Sequence, residues 1–243
     1  LDYMISVCKA VEGSGADRIN IADTVGVMVP ESMHYLISRL KGEVRIPISV
    51  HCHNDFGLAV ANSLAAIESG VEVPHTCVNG LGERSGNASF EELVMTLEAL
   101  YGHRTGIDVS RLYEVSRLVE TLSGIPVGVN KPVIGYNAFS HESGIHADGV
   151  IKHTATYEPI QPERIGRTRQ FIYGKHTGSA SVAEKLKSRD VEASKEQVQH
   201  LVELIKEYSE GKSKLDTQAF IERFREREER RRGITEDELW VLA

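Results

Sequence analysis

Ile46-Pro-Ile-Ser-Val-His51-Cys-His53, followed by Asn54 and Asp55, is the stretch that decides the fold. Side chains of an extended segment alternate between two faces. Ile48, Val50 and Cys52 therefore share one face, and Ser49, His51 and His53 share the other. An apolar face suits covering helices, and a polar face suits an enclosed interior. The flanking sequence alternates helix and strand in the same way. Residues 1–13 read as a helix that stops at Gly13 and Gly15, and Arg18–Thr24 as a short strand. Pro30 opens a helix over Glu31–Leu40 that ends before Gly42, and Gly57–Ser69 forms another, stopped by Gly70. Val73–Asn79 is a third strand, and Ser89-Phe-Glu-Glu92 has the form of a capping box opening a helix that ends near Gly102. Repeated βα units imply parallel strands with covering helices. An open doubly wound sheet and a closed βα barrel both fit. The polar face of residues 46–53 favours the barrel, whose active sites lie at the C-terminal ends of its strands.

A complete barrel has eight such units in roughly 250 residues. The expectation is a C-terminal part of a (β/α)8 TIM barrel, about three units, with about five units preceding Leu1. The chain has no initiator Met and opens in an apolar helical pattern of Leu1, Ile5, Val7, Cys8 and Val11, as though within a domain. After Gly102, Leu112, Val115, Leu118, Val119 and Leu122 form one helical stripe. Residues 125–175 turn irregular and rich in Gly, Pro and His, and from 176 the chain is helical again. Ser194…Gln197 caps one helix, Asp216–Arg232 forms another, and Thr235…Glu238 opens a last turn. The expected organisation is a partial barrel over 1–124, a linker subdomain over 125–175 and a helical subdomain over 176–243.

Composition bounds the function. The 243 residues are 41% hydrophobic and 26% charged, an ordinary globular balance, with a net charge of -7. A nucleic-acid binder shows a basic face, which this balance does not suggest, and the run Arg223–Arg232 alternates with Glu as a solvated helix does. Cys8, Cys52 and Cys77 include no CxxC pair and cannot all pair in one chain, which favours a reducing compartment, the cytoplasm. No signal-peptide pattern or long apolar run points to secretion or a membrane.

The chemistry concentrates at two strand ends. His51 and His53, at i and i+2, lie on one face and are close enough to grip one divalent ion; two ordinary polar core residues would show the same spacing. Downstream, Gly80-Leu-Gly-Glu-Arg-Ser-Gly-Asn87 carries three glycines, which let a backbone approach a ligand or merely turn tightly. Asn87 has a carbonyl oxygen to lend to the same ion. Nitrogen and oxygen donors with an open position suit a Lewis-acid site.

HCHNDFGLAVANSLAA (51–66) followed by NGLGERSGNAS (79–89) resembles the strand-seven and strand-eight motifs of the homocitrate, 2-isopropylmalate and citramalate synthases. NAFSHESGIHADGVIKHTATYEP (137–159) and GKHTG (174–178) are similar to that family's segment beyond the barrel. The resemblance runs from about residue 1 to about residue 180. It implies metal ligation by His51, His53 and Asn87, with a further Asp ligand and a substrate-polarising Arg on a first strand that has no counterpart here. Thr24, in Asp23-Thr-Val-Gly26, matches a residue that holds the substrate carboxylate; a hydroxyl capping the turn is the plainer alternative. His146, Asp148 and Tyr157 match residues that reach the active site from the partner subunit of a homodimer, with His146 helping to remove a proton from acetyl-CoA. Without the resemblance, Gly144–Gly149 reads as a surface turn. His141 and Glu142 read as local loop structure, Lys175–Gly178 as a helix entry, and Cys52 and Cys77 as small core residues.

The implied reaction is a Claisen-type condensation of acetyl-CoA with a 2-oxo acid, followed by thioester hydrolysis. It would be catalysed by an acyltransferase that uses a divalent metal ion, Zn, Mg or Mn. The helical tail ends without a further module, which favours homocitrate synthase; 2-isopropylmalate synthase and citramalate synthase are the alternatives. A lyase on the same barrel would share the His51/His53 strand but not the later motifs. A fragment or assembly partner lacking the first strands is the non-catalytic reading.

Overall fold

The computed structural model describes residues 1–141, 149, 153–231 and 241. They fall into two compact units, one of residues 1–139 with 159–169 and the other of 140–158 with 170–243.

The first unit is built on a three-stranded parallel sheet of β1 (Ile19–Asp23), β2 (Ile48–Cys52) and β3 (Val73–Pro74), in that order. The register runs from Ile19 opposite Ile48 to Asp23 opposite Cys52, and Ser49 faces Val73. Helices α1 (Asp2–Gly13), α2 (Pro30–Lys41) and α3 (Ala59–Glu68) alternate with the strands as the sequence predicts. Pro30 fixes the first turn of α2, with Glu31 at its positive end and Arg39 and Lys41 at its negative end. Ile48, Val50 and Cys52 have no exposed surface and pack in one cluster with Met33, Ile37 and Leu40 of α2 and Ala59 and Ala66 of α3. Burying each of the large side chains stabilises by about 1.5–3 kcal/mol. The result is a mixed α/β unit with a parallel sheet, consistent with part of a barrel.

β3 is shorter than the expected Val73–Asn79 because Pro74 has no N–H for the ladder. The chain continues through a single bridge between Cys77 and Ser89 and a 3-10 turn, Val78–Gly80, in which Asn79 takes φ 61°.

Ser89 does precede α4 (Phe90–Ala99), but the expected capping box does not form. The fully buried Glu91 draws the Ser89 hydroxyl and the Asn79 N–H to its carboxylate, and Glu92 pairs with Lys131 at 2.7 Å. Asn79 is bonded in turn to Ser116 of α5 (Leu112–Ser123). Ser116 is buried in this linkage, while Leu118 and Leu122, in the expected apolar stripe, are 55% and 76% exposed. Leu112 does pack, with Val94, Met95, Phe139 and Ile165.

In the second unit, β4 (Ser140–His141) pairs in parallel with β5 (Gln170–Phe171). Helices α6 (Ser179–Lys187) and α7 (Lys195–Arg231) pack through Val182, Val198 and Val202. The Ser194…Gln197 box forms reciprocally, with the Ser194 N–H donating to Gln197 Oε1 at 2.8 Å and the Gln197 N–H to Ser194 Oγ at 3.3 Å. No break precedes Asp216: α7 is one continuous helix that runs through Gly211, whose cost of about 1 kcal/mol does not stop it. The expected turn at Thr235…Glu238 lies outside the described residues.

Candidate metal centre

The tip of β2 carries two imidazoles. The His51 and His53 rings lie edge to face with centroids 4.9 Å apart. His53 Nδ1 is 3.1 Å from the Asp23 carbonyl oxygen, to which it donates in the neutral tautomer, leaving Nε2 with its lone pair. Burial holds the His51 pKa below the ordinary imidazole range, and His53 and His75 beside it push the same way. His51 is thus neutral at neutral pH, the form that binds metal.

The glycine-rich loop returns Asn87 to this tip. The Asn54 N–H donates to the Gly86 carbonyl at 2.9 Å, the Ala88 N–H to the Cys52 carbonyl at 3.2 Å, and His53 and Asn87 form an isolated antiparallel bridge. Asn87 Nδ2 then sits 3.0 Å from His51 Nε2, and its Oδ1 faces the Cys77 thiol at 3.6 Å. A half-turn of the carboxamide exchanges the two and presents the oxygen beside the imidazole. Gly82 is needed under this amide: a Cβ there would lie 2.8 Å from Asn87 Cγ and closer still to its oxygen.

The donors fit a divalent cation in kind, with two imidazoles and an amide converging. They do not make a complete set: among the described residues, no group of three or more His, Cys, Asp or Glu side chains could hold a metal ion. All three cysteines are free; Cys52 is the core residue expected, its thiol pushed up to about 11 by burial, whereas Cys77 is only partly buried, its thiol pushed upward by the same cause.

Thr24 follows directly on β1. The turn after it is capped not by its hydroxyl but by Asp23, whose carboxylate accepts the Val27 N–H at 3.1 Å and the Met28 N–H at 3.2 Å. Thr24 is left exposed at the same end of the sheet as the imidazoles. His75, unnoticed in the sequence, is also there: its ring lies 5.7 Å from that of His51. It follows directly on Pro74 of β3, where its N–H donates to the Val50 carbonyl of β2 at 2.8 Å. Asp55 and Arg84 form an ion pair at the same tips.

His146 and Asp148 lie outside the described residues. Tyr157 is described in the second unit, where its ring packs against Gly149, whose Cα leaves no room for a side chain. His141 does more than local loop work: its Nε2 is 3.0 Å from the buried Glu158 carboxylate. Lys175–Gly178 is indeed a helix entry, since Gly178 is the N-cap of α6 and the Gly174 N–H donates to Thr177 Oγ1 at 2.6 Å.

Residues 1–119 match the HMGL-like family, and residues 133–213 match the family described as homocitrate synthase post-HMGL domain-like. A 2-isopropylmalate synthase of Methanocaldococcus jannaschii is 56% identical over 81% of this chain and 38% of its own length. A probable 2-isopropylmalate synthase of Methanopyrus kandleri is 52% identical over 85% of the chain and 41% of its own length. The (R)-citramalate synthase of M. jannaschii is 46% identical over 86% of the chain and 43% of its own length. The chain thus spans about two fifths of the length of these curated relatives. No helix of the described residues is long and apolar enough to cross a membrane.

Proposed function

The chain belongs to the family of 2-isopropylmalate and citramalate synthases, of which it matches the C-terminal portion, and on that premise we propose that its protein condenses acetyl-CoA with a short 2-oxo acid. The observation that carries this reading is the meeting of Asn87 with His51 beside His53, on adjoining strand tips. The expectation of homocitrate synthase gives way to its alternative, because the similar proteins bear the names of 2-isopropylmalate and citramalate synthases. The acceptor is accordingly 2-oxoisovalerate or pyruvate rather than 2-oxoglutarate. The finer organisation stays within the proposal: a TIM barrel contributing residues 1–124, a linker over 125–175, a helical subdomain over 176–243, and a cytoplasmic homodimer in which the linker serves the partner's site.

His51, His53 and Asn87 would hold a divalent metal ion, with remaining positions open to the acceptor. When bound, such an ion supplies Lewis acidity at the acceptor's 2-oxo group. Thr24 offers a hydroxyl to the acceptor carboxylate at the same tips. His146 takes a proton from the acetyl methyl group, Asp148 orients the imidazole, and Tyr157 helps to enclose the reactants. The methyl carbon then bonds to the acceptor's carbonyl carbon, and water cleaves the thioester to release CoA.

Thiol release from acetyl-CoA by the full-length protein tests this reading, with 2-oxoisovalerate, pyruvate and 2-oxoglutarate offered in turn. Release stimulated by one of the first two, and dependent on a divalent cation, is the expected result. Release that no 2-oxo acid stimulates would sink the proposal.

A further inference from the structure

Arg84 sits in the glycine-rich loop and adopts φ 54°, a left-handed conformation that L-residues other than Asn and Asp rarely take. Its side chain reaches both neighbouring strand tips. Nε lies 2.8 Å from Asp55 Oδ1 and Nη2 lies 2.9 Å from Asp55 Oδ2, a two-pronged pair with the loop after β2. The same Nη2 donates to the Thr24 backbone carbonyl at 2.8 Å, at the tip of β1. One guanidinium therefore joins the tips of three successive strand segments. Asp55 is seated against Gly26, where φ is 69° and a Cβ would strike the carboxylate, so the turn carrying Thr24 is packed against the clamp as well as bonded to it. The Arg84 hydrogen bond holds the Asp55 carboxyl below its ordinary range, and the pairing raises Arg84 in return.

We propose that Arg84 is a positioning residue for Thr24: by tying Asp55 to the Thr24 carbonyl, it fixes the turn that presents the Thr24 hydroxyl to the acceptor's carboxylate. The assignment rests on the proposed role of Thr24 in the condensation. Planar, two-pronged recognition is what arginine supplies and lysine does not, since an ammonium is a point charge without the fork. Asp23 secures the far end of the same turn through Val27 and Met28, so Thr24 is held from both sides.

Two experiments separate the clamp from the reaction. In the 243-residue chain, amide exchange is followed for wild type, Arg84→Lys and Arg84→Gln. Arg84→Gln is expected to speed exchange across residues 24–28 by about tenfold, with Arg84→Lys in between and α3 unchanged as the control for folding. Unchanged exchange at 24–28 would overturn the clamp whether or not the protein is a synthase. In the full-length protein, Arg84→Gln is expected to raise the acceptor's KM by about tenfold while kcat and the KM for acetyl-CoA stay within about twofold, the pattern of lost uniform binding. A fall in kcat alone, or an equal rise in both KM values, would overturn the positioning of Thr24. Thiol release that no 2-oxo acid stimulates in wild type would instead count against the condensation, with the exchange result still deciding the clamp.

Discussion

Replacing Gly82 by alanine sets one methyl group against the candidate centre. Gly82 does not take positive φ, so the change introduces no backbone strain, only a clash. The new Cβ would lie 2.8 Å from Asn87 Cγ and 3.3 Å from Gly86 Cα, with the Asn87 oxygen nearer still. Ordinary contact begins near 3.4 Å, so the amide must withdraw by roughly 0.6 Å at its carbon and further at its oxygen. That displaces the carboxamide whose Nδ2 is bonded to His51 at 3.0 Å and spoils that contact. Overpacking of this kind costs about 1–3 kcal/mol of stability. Loss of a supporting or ligating group typically weakens a metal site by about 10–100-fold. Competition with a chromophoric chelator reads the affinity of the chain for Zn²⁺, alongside Gly42→Ala, whose Cβ meets nothing closer than 3.5 Å and is tolerated. Asn87→Ala should lower affinity by a similar factor, and the double variant should be no worse than either alone, because both changes remove the same contact. Wild-type affinity in Gly82→Ala, or full additivity with Asn87→Ala, would refute the reasoning.

Three further outcomes follow from the core and the strand tips. Cys52, fully buried, is held at about 11 against an ordinary 9.0, so its contribution to stability is whole below pH 9. As pH rises from 9 to about 11, the unfolded thiol ionises first and about 3 kcal/mol is lost. Denaturant melts across that range should lose about 3 kcal/mol more in wild type than in Cys52→Ala, where Cys8 and Cys77 still contribute; an identical alkaline loss in both would contradict it. Ile48→Ala empties a site with no exposed surface and should cost about 2–5 kcal/mol by urea unfolding, a cost below about 1 kcal/mol counting against the packing described. Glu91→Leu leaves the Asn79 N–H and the Ser89 hydroxyl without their acceptor and should destabilise by about 1–3 kcal/mol, whereas a neutral result would show that the buried carboxylate does not anchor that turn.

Period-two alternation made β2 legible, and with it the divided roles of Ile48, Val50 and Cys52 against Ser49, His51 and His53. Glycine and proline spacing placed α2 and α3 to within a few residues. Less legible was what depended on contacts distant in sequence. Ser89 and Glu92 have capping-box spacing, yet Glu91 is claimed by Asn79 and Glu92 by Lys131, partners that no local pattern names. The α5 stripe has helical period, but the buried face includes Ser116, bonded to the distant Asn79, and leaves Leu118 and Leu122 exposed. Asn87 was legible as a residue type in a glycine-rich loop; its meeting with His51 depends on the Gly82 and Gly86 close approaches. The roles of His75 and Arg84 were not legible, because their partners, His51 for the one and Asp55 and Thr24 for the other, lie far off in sequence.

The most direct test of the central claim is X-ray absorption at the metal edge on the chain loaded with one equivalent of Zn²⁺. The account predicts a shell containing two imidazole nitrogens at about 2.0–2.1 Å, one of them lost in His53→Ala. A shell without imidazole, or one that His53→Ala leaves unaltered, would contradict it.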